Sequence, residues 1–130
     1  MTDLISIRFQ NSGILSSRDP LRRFARQLLE RCLEAKEWPN AGLSVYFCSP
    51  EEIRRLTSES RGEEKTTDVL SFPWIEDLEL LKTEPAPYLG DLVLSLQVCA
   101  DQAPRFGRDP ADEVALLLVH GFLHLLGYEH

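Results

Sequence analysis

All three histidines of the chain lie within its last eleven residues, HGFLHLLGYEH. His120 and His124 are four positions apart, so on a helix their side chains differ by about 40° of rotation and ~6 Å of rise. Gly127 allows the chain to leave the helix sharply, and His130 follows three residues later. Three neutral imidazoles with an open fourth position are typical of a catalytic zinc site, whereas structural zinc sites usually have four protein ligands. The spacing predicts one zinc ion bound by His120, His124 and His130.

The residue after the first histidine limits the chemistry of this site. The pattern H-x-x-x-H-x-x-G-x-x-H has the ligand spacing of metzincin metalloproteases, which place a glutamate there as the general base. Gly121 occupies that position in this chain and has no side chain to accept a proton. Peptide hydrolysis by the usual route therefore lacks its base. A metal ion could still lower the pKa of its water towards ~7 or polarise a phosphoryl or carbonyl oxygen.

The elements that must position these residues follow from the spacing of apolar residues. Strict alternation or short runs of apolar residues predict four strands, over 5–9, 43–47, 68–72 and 91–95. Apolar residues spaced three or four positions apart predict four helices, over 19–35, 49–57, 96–106 and 109–127. Asp19 and Ser49 are predicted N-caps, and Asp109-Pro110 is predicted to begin the histidine helix, which stops at Gly127. This order indicates an α+β fold, a mixed four-stranded sheet with packed helices. No helix is predicted between the strands that end at 72 and begin at 91, and this predicts at least one antiparallel pair of strands. The connecting segment is itself either a hairpin or a lid.

Composition limits the class of protein. The 130 residues, 43% hydrophobic and 27% charged, suit one domain over residues 1–130. The formal charge of −7 argues against sequence-blind binding to nucleic-acid backbones, although it allows a small basic groove. Three separated cysteines without a C-x-x-C motif favour a reducing, cytoplasmic location. The longest apolar run, 114–119, is far shorter than the ~20 residues of a membrane span, so no membrane partner is expected.

Three segments together resemble one known family. HGFLHLLGYEH is similar to the H-G-x-L-H-L-x-G-Y-D-H signature of the YbeY-type endoribonucleases, the bacterial rRNA maturation factors. RGEEKTTDVLSFP resembles that family's arginine followed by T-[DN]-V-L-S-F-P, and LGDLVLS resembles its L-G-D-I-V-I-S strand. The resemblance covers the chain from about residue 5. The chain departs from the pattern at Thr57, Ser60 and Glu129, and it ends at His130, where family members generally continue.

The resemblance implies a zincin-like arrangement in which one zinc ion is bound by His120, His124 and His130. It implies metal-dependent cleavage of single-stranded RNA during small-subunit rRNA 3′-end maturation and ribosome quality control. Ribosomal RNA, and with it the ribosome or ribosomal proteins, would then be the partners. Arg61 and His120 match the family's key residues and are the catalytic candidates.

Arg61 and Ser71 are the candidates for binding the substrate. Cleavage of a phosphodiester builds negative charge on its non-bridging oxygens, and the guanidinium of Arg61 can bind two of them in parallel. A loop arginine is ordinarily solvated, and only the adjacent motif favours this role. Ser71, with Thr66 and Thr67, is predicted to present a hydroxyl to the substrate along the metal cleft, although an outward-facing strand position explains it equally well.

Two other functions remain open on the sequence. A metal-dependent hydrolase of a peptide or small ester would use the same ligands, although Gly121 weighs against peptides. A ribosome-associated factor with a mainly structural zinc would suit the acidic charge. The nucleophile is either water or the RNA 2′-hydroxyl, and no general base is assigned.

Overall fold

The computed structural model describes residues 4–10, 18–61, 69–74 and 77–128, and at positions 60 and 61 it describes the backbone alone. In chain order the elements are β1 (Ile5–Phe9), α1 (Asp19–Ala35), β2 (Gly42–Cys48), α2 (Pro50–Arg61), β3 (Val69–Pro73), α3 (Leu78–Leu81), β4 (Tyr88–Ser95), α4 (Leu96–Gln102), a 3₁₀ turn (Ala103–Phe106) and α5 (Pro110–Leu125).

The four strands form one mixed sheet in the order β1-β2-β4-β3. β1, β2 and β4 are parallel, while β3 runs antiparallel to β4 at the edge. This confirms the α+β class and the predicted antiparallel pair. The Trp74 N–H donates to the Leu89 carbonyl at 3.0 Å. Because hydrogen-bonded pairs alternate along an antiparallel ladder, the backbone groups of Ser71 and Pro73 face the free edge, where a proline without an N–H is tolerated.

The two faces of the sheet are covered differently. Alternate strand residues such as Val45 and Leu92 face the main core, which also contains buried residues of α1 and α5. The opposite face carries a smaller cluster in which Ile53 of α2 packs with Leu70 and Val93. The histidine helix therefore belongs to the main core. Within the described ranges, no helix is long and apolar enough to cross a membrane.

Helix α2 is longer than the sequence analysis predicted. It ends at Arg61 rather than near Thr57. Arg55 bonds Glu52 at 2.9 Å and Glu59 at 2.6 Å, which links successive turns on the exposed side of the helix. Thr57 is buried, and its hydroxyl donates to a carbonyl of the preceding turn, which removes the reason to end the helix there. Arg61 is therefore the last residue of a helix and not a loop residue.

The predicted caps are partly right. The Glu52 N–H donates to the Ser49 hydroxyl at 3.1 Å, as the capping-box pattern predicts. In a full capping box, the side chain of Glu52 would accept a hydrogen bond from the Ser49 N–H. Here the Ser49 N–H donates to the side chain of Gln10 instead, at 2.8 Å. The prediction of Asp19 as an N-cap is wrong. It lies inside the first turn of α1 and accepts a hydrogen bond from Arg22 at 2.9 Å.

Three other predicted boundaries also differ. β4 begins at Tyr88, three residues before the predicted start, because β4 pairs with β2 across an irregular register between Gly42 and Ser44. The predicted helix over 96–106 divides at Gln102, where the chain continues as the 3₁₀ turn that contains Pro104. The passage from 72 to 91 contains the short helix α3.

The cysteines are free thiols. Cys48 and Cys99 are buried, and Cys32 is half-buried. Burial, together with the charge of Glu52, raises the pKa of the Cys48 thiol to about 11. Such a thiol stays protonated at neutral pH and is a poor nucleophile or metal ligand.

Candidate metal centre

Helix α5 places two of the predicted ligands together. It begins after Asp109, whose extended backbone precedes Pro110, although the Asp109 side chain makes no capping hydrogen bond. His120 and His124 lie in its last two turns, and both side chains are half-buried. Their four-residue separation puts the imidazoles on one face of the helix, one turn apart. The helix therefore offers two neighbouring nitrogen donors at the boundary between core and solvent.

A Schellman motif ends this helix. Gly127 has a φ of +87°, in the left-handed region that favours glycine. Its N–H donates to the His124 carbonyl at 3.0 Å, and the Tyr128 N–H donates to the Leu123 carbonyl at 3.0 Å. The predicted stop at Gly127 is confirmed, and the chain turns sharply one residue after Leu126. His130 and Glu129 lie outside the described residues, so His130 as the third ligand stays a prediction.

Helix α5 meets the sheet at Gly121, beside the first histidine. A Cβ atom at this position would lie 2.9 Å from Cδ2 of Leu92, a separation that real Cβ atoms essentially never show, and a tight 3.1 Å from Cγ2 of Val69. The Ser71 hydroxyl donates to the Gly121 carbonyl at 3.2 Å. Position 121 therefore faces the sheet, and a glutamate placed there would start inside the core instead of beside the two imidazoles.

Ser71 is thus tied to the histidine helix and does not face outward. Its side chain is half-buried on the edge strand β3, next to the turn that carries His120. The bond to Gly121 gives it a packing role. Substrate binding by Ser71 stays a prediction.

A buried carboxylate lies two turns before His120, and the sequence analysis assigned it no role. Glu113 accepts hydrogen bonds from Arg108, at 2.8 Å, and from Gln102. Burial disfavours its charge, but these two hydrogen bonds and the positive charge of Arg108 outweigh burial and hold the pKa of Glu113 below its usual value. The helix face that carries His120 therefore includes a fixed negative charge. Only the seven-residue spacing from His120 signals it in the sequence.

The structure describes only the backbone of Arg61, at the end of α2. α2 ends at Arg61, and β3 begins at Val69, whose side chain lies against Gly121. The chain from α2 therefore leads to the strand beside the histidine helix. The side chain of Arg61 and residues 62–68, which include the candidates Thr66 and Thr67, lie outside the described part of the chain.

A groove elsewhere on the protein is not part of this centre. It has a volume of about 970 Å³ and lies between α1 and residues 39–41. Its charged residues are of both signs, Arg26 and Arg31 with Glu30 and Glu34, and no histidine lines it. Among the described residues, no three histidine, cysteine or acidic side chains form a group that could hold a metal ion. The two imidazoles of α5 are two of the three donors that the sequence predicts.

Known proteins show what this arrangement is similar to. The family model described as Endoribonuclease YbeY matches residues 6–130. A relative from Exiguobacterium sibiricum with that name is 39% identical over 97% of this chain and 83% of its own length. Another, from a Sulfurihydrogenibium species, is 38% identical over 88% of this chain and 72% of its own length. The solution structure of TM1509 from Thermotoga maritima superposes with a TM-score of 0.63 at 28% identity, covering 97% of this chain and 74% of that one.

Proposed function

The chain belongs to the YbeY endoribonuclease family, and on that premise we propose that it is a zinc-dependent endoribonuclease specific for single-stranded RNA. It acts as one domain over residues 1–130, with a zincin-like arrangement around α5. Its substrate is ribosomal RNA, whose small-subunit 3′ end it matures in the cytoplasm. The same activity serves ribosome quality control, with the ribosome or ribosomal proteins as partners.

One observation carries the proposal. His120 and His124 lie one turn apart on α5, while the position between them that would hold a protease's glutamate is packed against the sheet at Gly121. This geometry supports a metal site and disfavours a peptidase base. It therefore favours the nuclease over a metal-dependent peptidase with the same ligand spacing.

The residues present fit a zinc ion. Two half-buried imidazoles on one helix face suit a borderline-soft cation, and His130, three residues after the Schellman glycine, is proposed as the third ligand. A zinc ion bound there supplies a Lewis acid for a phosphoryl oxygen and lowers the pKa of water.

The proposed roles of the remaining residues follow from charge and position. Arg61, at the end of α2, binds the non-bridging oxygens of the scissile phosphate and stabilises their growing negative charge. His120, the other catalytic candidate, acts as a ligand of the metal ion. Ser71 contacts the substrate from β3, where its hydroxyl lies next to the His120 turn. The Ser71 oxygen keeps a free lone pair for such a contact while its proton is donated to Gly121.

A substrate panel tests the proposal. Zinc-loaded protein is given end-labelled single-stranded RNA, the same RNA annealed to its complement, the corresponding DNA, and a peptide library. We expect cleavage of the single-stranded RNA, with at least tenfold slower cleavage of the duplex and none of the DNA or peptides. Peptide cleavage without RNA cleavage would support the alternative hydrolase and contradict the proposal.

The rRNA assignment needs its own substrate. Small-subunit particles that carry unprocessed 3′ ends are incubated with the protein, and the new ends are mapped. Ends at the mature position support the assignment, and random cuts contradict it while leaving the nuclease activity in place. A 2′,3′-cyclic phosphate on the products would identify the RNA 2′-hydroxyl as the nucleophile.

A further inference from the structure

The most exposed large apolar side chain of the described residues lies at the end of β3. Trp74 is 65% exposed, and its ring meets the ring of Tyr88 edge to face, with centroids 5.8 Å apart and an interplanar angle of 82°. Singly exposed apolar side chains are common on protein surfaces, but here the exposed indole adjoins a second aromatic ring. The two rings form an aromatic corner on the sheet face that α2 covers only in part.

Hydrogen bonds fix both residues of this aromatic corner. The Tyr88 hydroxyl bonds Asp91 at 2.6 Å and Ser44 at 2.6 Å, so the ring cannot swing away. The backbone of Trp74 is fixed by the bond from its N–H to the Leu89 carbonyl. Rings positioned in advance lose little conformational freedom when a ligand stacks on them.

The aromatic corner lies at the end of the edge strand against which helix α5 packs, on the sheet face opposite to that helix. A Cβ at Gly90 would lie 2.3 Å from the carbonyl oxygen of Phe72 and 3.0 Å from Cδ2 of Leu125. The end of β3 and the turn of α5 that contains His124 therefore pack at the same point. Trp74 follows this point by two residues.

We propose that Trp74 and Tyr88 form a base-stacking subsite for single-stranded RNA at the end of the edge strand β3. This inference rests on the proposed function, because it assigns a role to residues that contact the substrate of that activity. Base-stacking on aromatic rings tolerates every base and adds an attraction that does not depend on the net charge of the protein. That suits a chain with a formal charge of −7, whose attraction for RNA backbones is weak.

The chemistry of the corner favours RNA over a protein strand. Pro73 is the last residue of β3 and lacks the N–H that an added strand would need at this edge. On the same sheet face, the guanidinium of Arg8 lies 4.6 Å from the centre of the Tyr46 ring, and Tyr46 is two residues from Ser44. A cation beside aromatic rings fits a backbone phosphate next to a stacked base.

Tryptophan fluorescence tests the inference directly. The only other tryptophan, Trp38, is buried at 7% exposure and serves as an internal reference. Titrating zinc-loaded protein with a short oligoadenylate on ice should quench the emission, and Trp74→Phe should lose the quench. A wild-type emission that RNA does not change would overturn the inference.

The kinetics of RNA cleavage test the same inference through KM. For single-stranded RNA we expect Trp74→Ala to raise KM about tenfold, with the larger part of the effect on KM rather than kcat, and Trp74→Phe to restore most of it. Phe106→Ala, which removes another exposed ring at 60% exposure, is the control and should leave KM unchanged. Equal KM values for Trp74→Ala and wild type would overturn the subsite while leaving the nuclease intact.

Failure of the proposed nuclease activity and failure of the stacking subsite give different results. If the wild type binds oligoadenylate with Trp74 quenching but cuts no RNA, the proposed nuclease activity fails and the stacking subsite stands. If Trp74→Ala weakens binding of a protein partner and leaves RNA binding unchanged, the aromatic corner is a protein contact and the inference is wrong.

Discussion

The hydroxyl of Ser71 donates a hydrogen bond to the carbonyl of Gly121 at 3.2 Å, which joins the edge strand to the helix turn that carries His120. The two residues are fifty positions apart in the chain. The bond places a helix carbonyl, a strand hydroxyl and a histidine side by side. Because Gly121 has no side chain, the helix can approach the strand closely enough to make it.

Replacing Ser71 by alanine is expected to leave the Gly121 carbonyl with one partner fewer and to destabilise the protein by about 1 kcal/mol. Urea unfolding measures this cost. Ser58→Ala, at a half-buried position of α2, is the control and should cost less. If Ser71 also contacts the substrate as proposed, KM for RNA rises as well. A variant with lower stability and unchanged KM would restrict Ser71 to its packing role.

Gly121→Ala is expected to destabilise the protein, although alanine is the better helix former by about 1 kcal/mol. The added Cβ would lie 2.9 Å from Leu92 Cδ2, and overpacking of this kind costs about 1–3 kcal/mol. Leu92→Val removes the atom in the way, so the double variant should be more stable than the sum of the two single changes predicts. Strict additivity in urea unfolding would contradict the contact. For the same reason, Gly121→Glu should not increase RNA cleavage.

Gly127→Ala tests the turn that leads to His130. A left-handed φ of +87° costs alanine about 1 kcal/mol, and relieving that strain would change the direction of the chain after α5. We expect a lower zinc affinity in a competition titration with a chromogenic chelator. Gly107→Ala is the matched control, because Gly107 has a φ of +68° at the end of the 3₁₀ turn. It should lose similar stability and keep its zinc affinity. Equal affinity in both variants would argue against His130 as a ligand.

Glu113→Gln should change how stability depends on pH. The pKa of Glu113 is lower in the folded protein than its unfolded value of about 4.3. Its charge therefore contributes stability that is fully present above that value and is lost as the pH falls through the lower folded pKa. The variant should be less stable by about 2 kcal/mol at neutral pH, and the difference should shrink below about pH 4. Glu59→Gln, an exposed partner of Arg55, is the control. A stability difference that does not vary with pH would contradict the lowered pKa.

The sequence predicts what depends on local spacing. The alternation of Ile5, Ile7 and Phe9 predicts β1, the four-residue step from His120 to His124 places both on one helix face, and Gly127 marks its end. Each of these features is decided within a few residues of the chain, so periodicity and capping preferences are enough to find them.

The rest depends on contacts between distant segments. Nothing near Gly121 in the sequence shows that Leu92 and Val69 surround it, since that follows from how α5 lies across the sheet. The partner of Glu113 at Gln102 and the contact between Trp74 and Tyr88 also arise only when separate elements pack together. Helix α2 exceeds its predicted end because tertiary burial of Thr57 outweighs its weak helix propensity.

Removal and return of the metal ion tests the central claim most directly. Zinc is stripped from the wild type and from His124→Ala by a chelator, one equivalent is returned, and both bound zinc and cleavage of single-stranded RNA are measured on the same samples. We predict that the stripped wild type is inactive and regains activity as it regains one zinc ion, whereas His124→Ala regains neither. Cleavage that survives stripping, or that is equal in both proteins, would contradict the claim that the histidines of α5 bind the metal that RNA cleavage requires.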